Sequence, residues 1–207
     1  MSVSEKRLVE QALEGDQHAT ATLFEQYRPR LRRMVELRMD ARLRARVDAS
    51  DVLQEAFVDV SRQLDSYREK RSEIPFFLWL RLQTGSRLAQ LHRRHLGTEK
   101  RDVNREQPPM HIPDASSIFM AGQLAGQFTS VDRGLRKQEV ADKLLQTLNS
   151  LSDKDREIIA MRHYEELSTE EIAISLGMTR SGVLKRYGRA IERLTEVVGD
   201  QQSQFDI

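Results

Sequence analysis

The chain has 207 residues, 39% of them hydrophobic and 31% charged, so it can form compact cores and its length fits one or two domains. Its composition is rich in Leu, Ala, Glu, Gln and Arg, with only 10 Gly and 5 Pro, which favours helices, while its formal net charge of +1 does not by itself indicate a nucleic-acid partner. The absence of Cys excludes disulfides and thiolate metal sites, and the lack of a signal peptide or a long apolar run leads us to expect a cytoplasmic protein without membrane insertion.

The first half of the chain has the pattern of an amphipathic helical domain. Apolar residues recur at helical spacing over 8–37, with a break before Asp16, which we expect to cap the second helix. Residues 48–51 form a strong helix start, and the helix that follows carries its apolar residues on one face: Val52, Leu53, Ala56, Phe57, Val60 and Leu64. The polar segment 65–75 predicts a loop, and 76–95 predicts another helix.

The second half contains a segment without helical periodicity, followed by four short helices. Pro, Gly and Ser interrupt 102–135, which we interpret as a linker, and its apolar residues would contact either a partner or the chain's own domains: Ile118, Phe119, Met120, Leu124 and Phe128. Helical periodicity resumes at Val140 and continues to about Val198. The sequence therefore predicts an all-α protein with two helical domains joined by a flexible linker, bounded as 1–101, 102–135 and 136–200, with a tail at 201–207.

The sharpest motif is a helix-turn-helix over 168–187. Two short helices that cross steeply need a small residue at their contact and a residue tolerant of positive φ in the turn, which Ala173 and Gly177 supply, while Val183 covers the shared core. The second helix should begin near Ser181 and present a cationic surface outward: Arg180, Ser181, Lys185, Arg186 and Arg189. Such a helix lies in the DNA major groove and reaches base edges or phosphates, whereas a plain helical hairpin would have no need of these cations.

Charge is segregated along the chain. Residues 28–46 carry eight Arg and two acids, 81–101 six bases and one acid, and 180–193 five bases and one acid, whereas 48–59 carry four acids and no base. Asp51, Gln54 and Glu55 share one helix face, with Asp59 as a further candidate, and this acidic face suits a basic protein surface. The alternative is that these acids only stabilise the helix N-terminus.

Aromatic and basic residues cluster after the acidic helix. Tyr67, Phe76, Phe77 and Trp79 accompany a set of cations: Arg68, Lys70, Arg71, Arg81, Arg87, Arg93 and Arg94. Arginines that bind the backbone and rings that receive unstacked bases would suit single-stranded DNA. The alternative is that Phe76, Trp79, Leu80 and Leu88 are core residues, in which case the 65–75 loop is the better candidate for base capture.

Several of these segments together resemble one family. Asp51-Val-Leu-Gln-Glu-Ala-Phe57, Leu64-Asp-Ser-Tyr67, Phe76-Phe-Leu-Trp-Leu80 and His92-Arg-Arg94 resemble region 2 of extracytoplasmic-function (ECF) sigma factors of bacterial RNA polymerase. Leu148-Asn-Ser-Leu-Ser-Asp-Lys-Asp-Arg-Glu-Ile159, with the helix-turn-helix, resembles their region 4. The order and spacing match over nearly the whole chain except the linker.

The resemblance implies a promoter-recognition subunit. Asp51, Gln54 and Glu55 would dock on the β′ clamp helices of core polymerase, and the 65–75 loop with the following helix would engage and melt the −10 element. The helix-turn-helix would read the −35 element and sit on the β flap, the linker would thread towards the RNA exit path, and an anti-sigma factor is a further partner that the family implies. Residues 83–87 depart from the family pattern, so no −10 sequence preference is carried over.

Two other classes of function compete with a polymerase subunit. A metalloenzyme could be built on His92 and His95, or on His163 near two glutamates, but no third ligand, HExxH motif or phosphate-binding Gly loop accompanies them, so we expect no enzyme, metal or cofactor. A two-domain helix-turn-helix regulator that is not a polymerase subunit would explain the C-terminal half equally well, but not the acidic face. We expect the free protein to be monomeric.

Overall fold

The computed structural model of the chain describes residues 3–96, 116–128 and 134–203, and every regular element in these ranges is an α-helix. The chain divides into two compact units, 1–111 and 112–207, and this division falls inside the segment predicted as a linker. The prediction of an all-α protein with two helical domains is confirmed. Within the described ranges, no helix is both long and apolar enough to cross a bilayer.

Unit 1 contains five helices: α1 (Val3–Leu13), α2 (Gln17–Arg38), α3 (Ala41–Arg44), α4 (Ala49–Lys70) and α5 (Phe76–Leu96). The starts of α2, α3 and α4 are set locally by side-chain caps. The Asp16 carboxylate accepts hydrogen bonds from the backbone N–H groups of His18 and Ala19, as predicted. Asp48 begins α4 with a capping box, in which Asp51 accepts the backbone N–H of Asp48 at 3.1 Å.

An aromatic cluster joins α4 to α5 in the core of unit 1. Tyr67 lies 5.0 Å from Phe76 and 5.4 Å from Trp79, measured between ring centroids. Trp79 and Leu80 are 1% and 0% exposed, so the interpretation of these two residues as core is confirmed. Burial of three large aromatic side chains is a main source of stability in so small a domain.

The prediction of a loop over 65–75 is wrong for its first six residues, because α4 continues to Lys70. The cause is tertiary packing. Tyr67 lies two turns after Val60 on the same face of α4, and both side chains are buried. The apolar contact with α5 outweighs the polar composition of the segment, and only residues 71–75 connect the two helices.

The described part of unit 2 contains α6 (Ser116–Phe128), α7 (Gly134–Ser150), α8 (Asp153–His163), α9 (Thr169–Leu176) and α10 (Arg180–Ser203). The predicted helix starts are confirmed again. The Ser152 hydroxyl accepts the N–H of Asp155 at 3.2 Å, and Ser168 forms a capping box with Glu171 at the start of α9. All four helices predicted for this half are present, and their ends differ from prediction by at most six residues.

The sequence does not predict helix α6, because its glycines interrupt the helical period and favour a linker. It forms because one face packs against α7, with four buried side chains: Met120, Ala121, Leu124 and Ala125. The Tyr164 hydroxyl also donates to the Met120 carbonyl oxygen at 2.5 Å, and burial raises the pKa of that phenol.

From the sequence, the apolar residues of this segment are expected to contact either a partner or the chain's own domains. Met120 and Leu124 pack within the chain, while Ile118 is 63% exposed. The rest of the predicted linker, 102–115 and 129–133, lies outside the described residues.

Candidate nucleic-acid and protein interfaces

The helix-turn-helix is formed by α9, α10 and the turn between them. Gly177 ends α9 with φ of +59°, a left-handed conformation that a residue with a side chain rarely adopts, and its N–H bonds back to the carbonyls of Ala173 and Ile174. Ala173 of α9 and Val183 of α10 are both buried, at 8% and 2% exposure. Of the three residues that the sequence assigned to the motif's core, one forms the turn and two are buried.

The outward surface of α10 is cationic at its N-terminal end, which begins at Arg180, one residue before the predicted start. Arg180, Ser181, Lys185 and Arg189 are exposed. Arg180 lies 3.0 Å from Glu170 of α9, and both side chains are more than half exposed, so this pair is weak and solvent-screened. The first two turns of α10 can thus present several donors to a duplex.

Arg186 differs from the other cations of α10 because it is engaged within the fold. Its Nη1 donates to Asp155 Oδ1 at 2.9 Å, and the Asp155 side chain is 21% exposed. Burial opposes ionisation of this carboxyl, but hydrogen bonds from Ser152 and Arg186 outweigh it and lower the pKa of Asp155. Arg186 therefore ties α10 to the start of α8.

His163 contacts α10 as well. Its ring stacks on Tyr187 at 5.8 Å, with Nε2 3.1 Å from the phenolic oxygen. Burial lowers the pKa of His163, and the neighbouring Arg162 acts in the same direction. In unit 1, His92 accepts the backbone N–H of Asp40 at 3.2 Å. Among the described residues, no three His, Asp or Glu side chains are grouped so that they could hold a metal ion.

The acidic face of α4 is exposed on unit 1. Asp51, Gln54 and Glu55 all lie on the surface, in the first two turns of the helix. Beside Gln54, a shallow groove separates α4 from α2, and sequence analysis did not find it. It is lined by apolar residues and polar rim residues: Ala21, Phe24, Leu53 and Phe57, with Glu25, Arg28, Ser50 and Gln54. The one feature of the sequence that could have predicted the groove is the spacing of apolar residues along α2 and α4.

The acids of α4 have a partner that the sequence did not reveal. No base lies within 48–59, but Arg87 of α5 reaches across: its Nε donates to Asp59 at 2.6 Å and its Nη1 lies 3.4 Å from Glu55. Arg87 and Asp59 have side chains only 24% and 17% exposed. Arg87, which the sequence assigns to the DNA-binding set, joins α4 to α5 through these contacts.

The other residues assigned to −10 DNA fall into a buried and an exposed group. Tyr67 and Arg81 are 3% and 2% exposed, so neither side chain can reach DNA in this conformation. Burial also raises the pKa of the Tyr67 phenol. The exposed group stands at two helix ends, with Arg68, Lys70 and Arg71 at the end of α4 and Arg93 and Arg94 in the last turn of α5.

Comparison with known proteins matches this architecture. Residues 141–194 match the family model described as Sigma-70, region 4. An RNA polymerase sigma-E factor of Streptomyces avermitilis is 31% identical over 186 residues, which cover 86% of this chain and 87% of that protein. The chain belongs to the ECF sigma factors of RNA polymerase. The ECF RNA polymerase sigma-E factor of Escherichia coli strain K12 is 27% identical to this sigma factor over 200 residues, 95% of each chain.

A solved structure shows the same fold. The structure of CnrH in complex with the cytosolic domain of CnrY superposes with a TM-score of 0.54 at 21% identity, covering 95% of this sigma factor and 97% of that chain. The resemblance to ECF sigma factors drawn from the sequence is thereby confirmed. The protein acts in transcription initiation, and its family binds core RNA polymerase and promoter DNA.

Proposed function

We propose that this sigma factor binds core polymerase through the exposed face of α4, with Asp51, Gln54 and Glu55 docking on the β′ clamp helices. Three observations support this docking. The side chains share one exposed face, the segment 48–59 contains no base, and the groove beside Gln54 offers apolar surface next to the acids. An exposed acidic face beside an apolar depression gives a partner both orientation and buried area.

The −10 element is engaged by the exposed cations at the ends of α4 and α5: Arg68, Lys70, Arg71, Arg93 and Arg94. Their exposure and separation over two helix ends suit contacts along a nucleic-acid backbone, which hold a melted strand without reading its sequence. Tyr67 and Arg81 would have to leave the core to take part, so the proposal depends on the exposed group. Arg87 joins α4 to α5 and so helps to fix the position of the two helix ends relative to each other.

The −35 element is read by α10 in the major groove, through Arg180, Ser181, Lys185 and Arg189, while Arg186 fixes the helix against Asp155. Unit 2 also rests on the β flap, and the linker runs towards the RNA exit path. CnrH is bound to the cytosolic domain of CnrY in its solved structure, and a protein of that kind would restrain this factor in the cytoplasm as an anti-sigma factor.

The observation that carries the proposal is the acidic, exposed face of α4 in a chain whose other unit is a helix-turn-helix. The double variant Asp51→Lys with Glu55→Lys should lose binding to core polymerase in a pull-down. The matched control is Asp65→Lys with Glu69→Lys, which reverses two exposed acids at the same spacing on the same helix. The control should bind as the wild type does. Circular dichroism checks that all variants remain folded, since Asp51 also belongs to the capping box.

Function is measured by run-off transcription on genomic fragments, with and without the factor, using purified core enzyme. The wild type should redirect the start sites of RNA synthesis, and the Asp51/Glu55 double variant should not. If the wild type neither joins core polymerase nor changes where transcription starts, the proposal is wrong. If both double variants bind core equally well, the docking face lies elsewhere on the protein.

A further inference from the structure

Two uncharged residues, Leu184 and Gly188, lie on the outward surface of α10 among its cations. The buried stripe of the helix is formed by Val183, Ala190 and Leu194, each 2% exposed or less. Leu184 is 50% exposed, and Gly188 is exposed one turn later. Because residues four apart share a helix face, these two form a strip, here called the apolar strip, beside the cations.

Leu184 lies beside a small depression of unit 2. It lines this depression together with Thr169 and Ile172 of α9 and Tyr187 of α10, and about half of the residue is exposed. A single exposed leucine is common on protein surfaces and has no meaning alone. This one stands in the second turn of a helix whose N-terminal residues face base edges when such a motif binds DNA.

Gly188 supplies an independent observation. A Cβ built at this position meets no heavy atom within 4 Å among the described residues, and the φ of Gly188 lies outside the left-handed region. Glycine is a poor helix former, so neither backbone conformation nor internal packing requires it at this point. What a bare Cα does provide is room for a second molecule to come close to the helix.

We propose that Leu184 reads the methyl group of a thymine in the upstream promoter element, and that Gly188 lets the duplex approach the helix closely enough for that contact. Thymine is the base of unmodified DNA that presents a methyl group in the major groove, and apolar side chains recognise it there. Ser181 and Lys185, beside the strip, contact the neighbouring base edges or phosphates. This inference rests on the proposed role of α10 in reading the −35 element.

The test uses the holoenzyme assembled from core polymerase and the full chain. A library of promoters with a randomised upstream element is first selected for binding, which gives the preferred sequence. Each thymine of that element is then replaced by deoxyuridine, which pairs identically but lacks the methyl group. At one position the replacement should weaken wild-type binding about fourfold, as expected for the burial of one carbon.

The variant Leu184→Ala should lose about the same factor on the thymine promoter, and the deoxyuridine replacement should then have almost no further effect. Ile174→Ala is the matched control, since Ile174 is another exposed aliphatic residue of unit 2, at 43% exposure. It should keep the full sensitivity to deoxyuridine. Gly188→Ala should raise the thermal stability of the free protein while weakening promoter binding, two effects of opposite sign.

The outcomes separate this inference from the proposed function. If selection returns no upstream preference and Lys185→Ala binds as the wild type does, α10 does not read DNA and the proposed function fails with it. If a preference is recovered and depends on Lys185, but Leu184→Ala remains sensitive to deoxyuridine at every thymine, only the role of Leu184 is overturned. An element without thymine, or a Gly188→Ala variant that binds normally, also overturns the inference.

Discussion

Arg87 offers the sharpest test of how unit 1 is held together. Replacing it with Gln keeps a polar side chain but removes the charge and both contacts to α4. Asp59 would then keep its negative charge with only 17% of its side chain exposed, and Glu55 would lose its contact at 3.4 Å. A charge that is mostly removed from water and has lost its partner destabilises the folded state.

The expected loss lies between two limits. Exposed ion pairs contribute about 0.5 kcal/mol, and breaking a fully buried pair costs about 3–5 kcal/mol. With side chains 24% and 17% exposed, the Arg87 to Asp59 pair is nearer to buried, but water still screens it. We expect Arg87→Gln to lower the free energy of unfolding by about 1–2 kcal/mol, which shifts the urea midpoint of unit 1 by roughly 1 M.

The assay is urea unfolding of the full chain followed by tryptophan fluorescence. Trp79 is the one tryptophan of the sequence and is 1% exposed in unit 1, so its emission reports that unit. Arg62→Gln is the control, since it removes an exposed arginine of α4 and should change stability by less than about 0.5 kcal/mol. Asp59→Asn should cost a similar amount to Arg87→Gln, and the double variant no more than either. An unchanged urea midpoint for Arg87→Gln would refute this assignment.

Three further predictions concern pH, the turn and salt. Burial is the main cause of the lowered pKa of His92 and His163. The folded state is therefore most stable where both rings are neutral, above their ordinary pKa of 6.5, and this stability is lost as pH falls through the pKa values of the folded protein. NMR titration of the ring protons measures the two pKa values. Gly177→Ala forces a side chain into φ +59° at a cost of about 1–2 kcal/mol, visible as faster amide exchange in α9. Lys185→Ala should reduce the slope of log Kd against log salt by about 0.9 if it contacts a phosphate, whereas Arg186→Ala should reduce it less and should destabilise unit 2.

What the sequence predicts well is what neighbouring residues decide. The helix starts at Asp16, Asp48, Ser152 and Ser168 were found because a cap needs only a side-chain oxygen two or three residues before the N–H groups it accepts. The turn at Gly177 follows from the same kind of local rule. The core position of Trp79 was one of two interpretations, and only packing against Tyr67 decided between them.

What the sequence predicts badly depends on residues far apart in the chain. Helix α6 and the last two turns of α4 exist because of faces that pack on α7 and α5, and nothing in their own composition marks those faces as buried. The pairing of Arg87 with Asp59 joins residues 28 positions apart, and a count of charges cannot tell such a pair from two solvated side chains. The burial of Tyr67 and Arg81, both assigned to the DNA-binding set, likewise depends on long-range packing that the sequence does not show.

In our proposal, α4 joins the two interfaces of unit 1. Its N-terminal turns carry the exposed acids from Asp51 onward, and its C-terminal end carries Arg68, Lys70 and Arg71. From Asp51 to Lys70 a straight helix rises about 28 Å. Once the acids dock on the polymerase, the position of the cations relative to the enzyme is fixed by a rigid element, and Arg87 prevents α5 from shifting against it. In our proposal, where the −10 DNA is held therefore follows from where the factor docks.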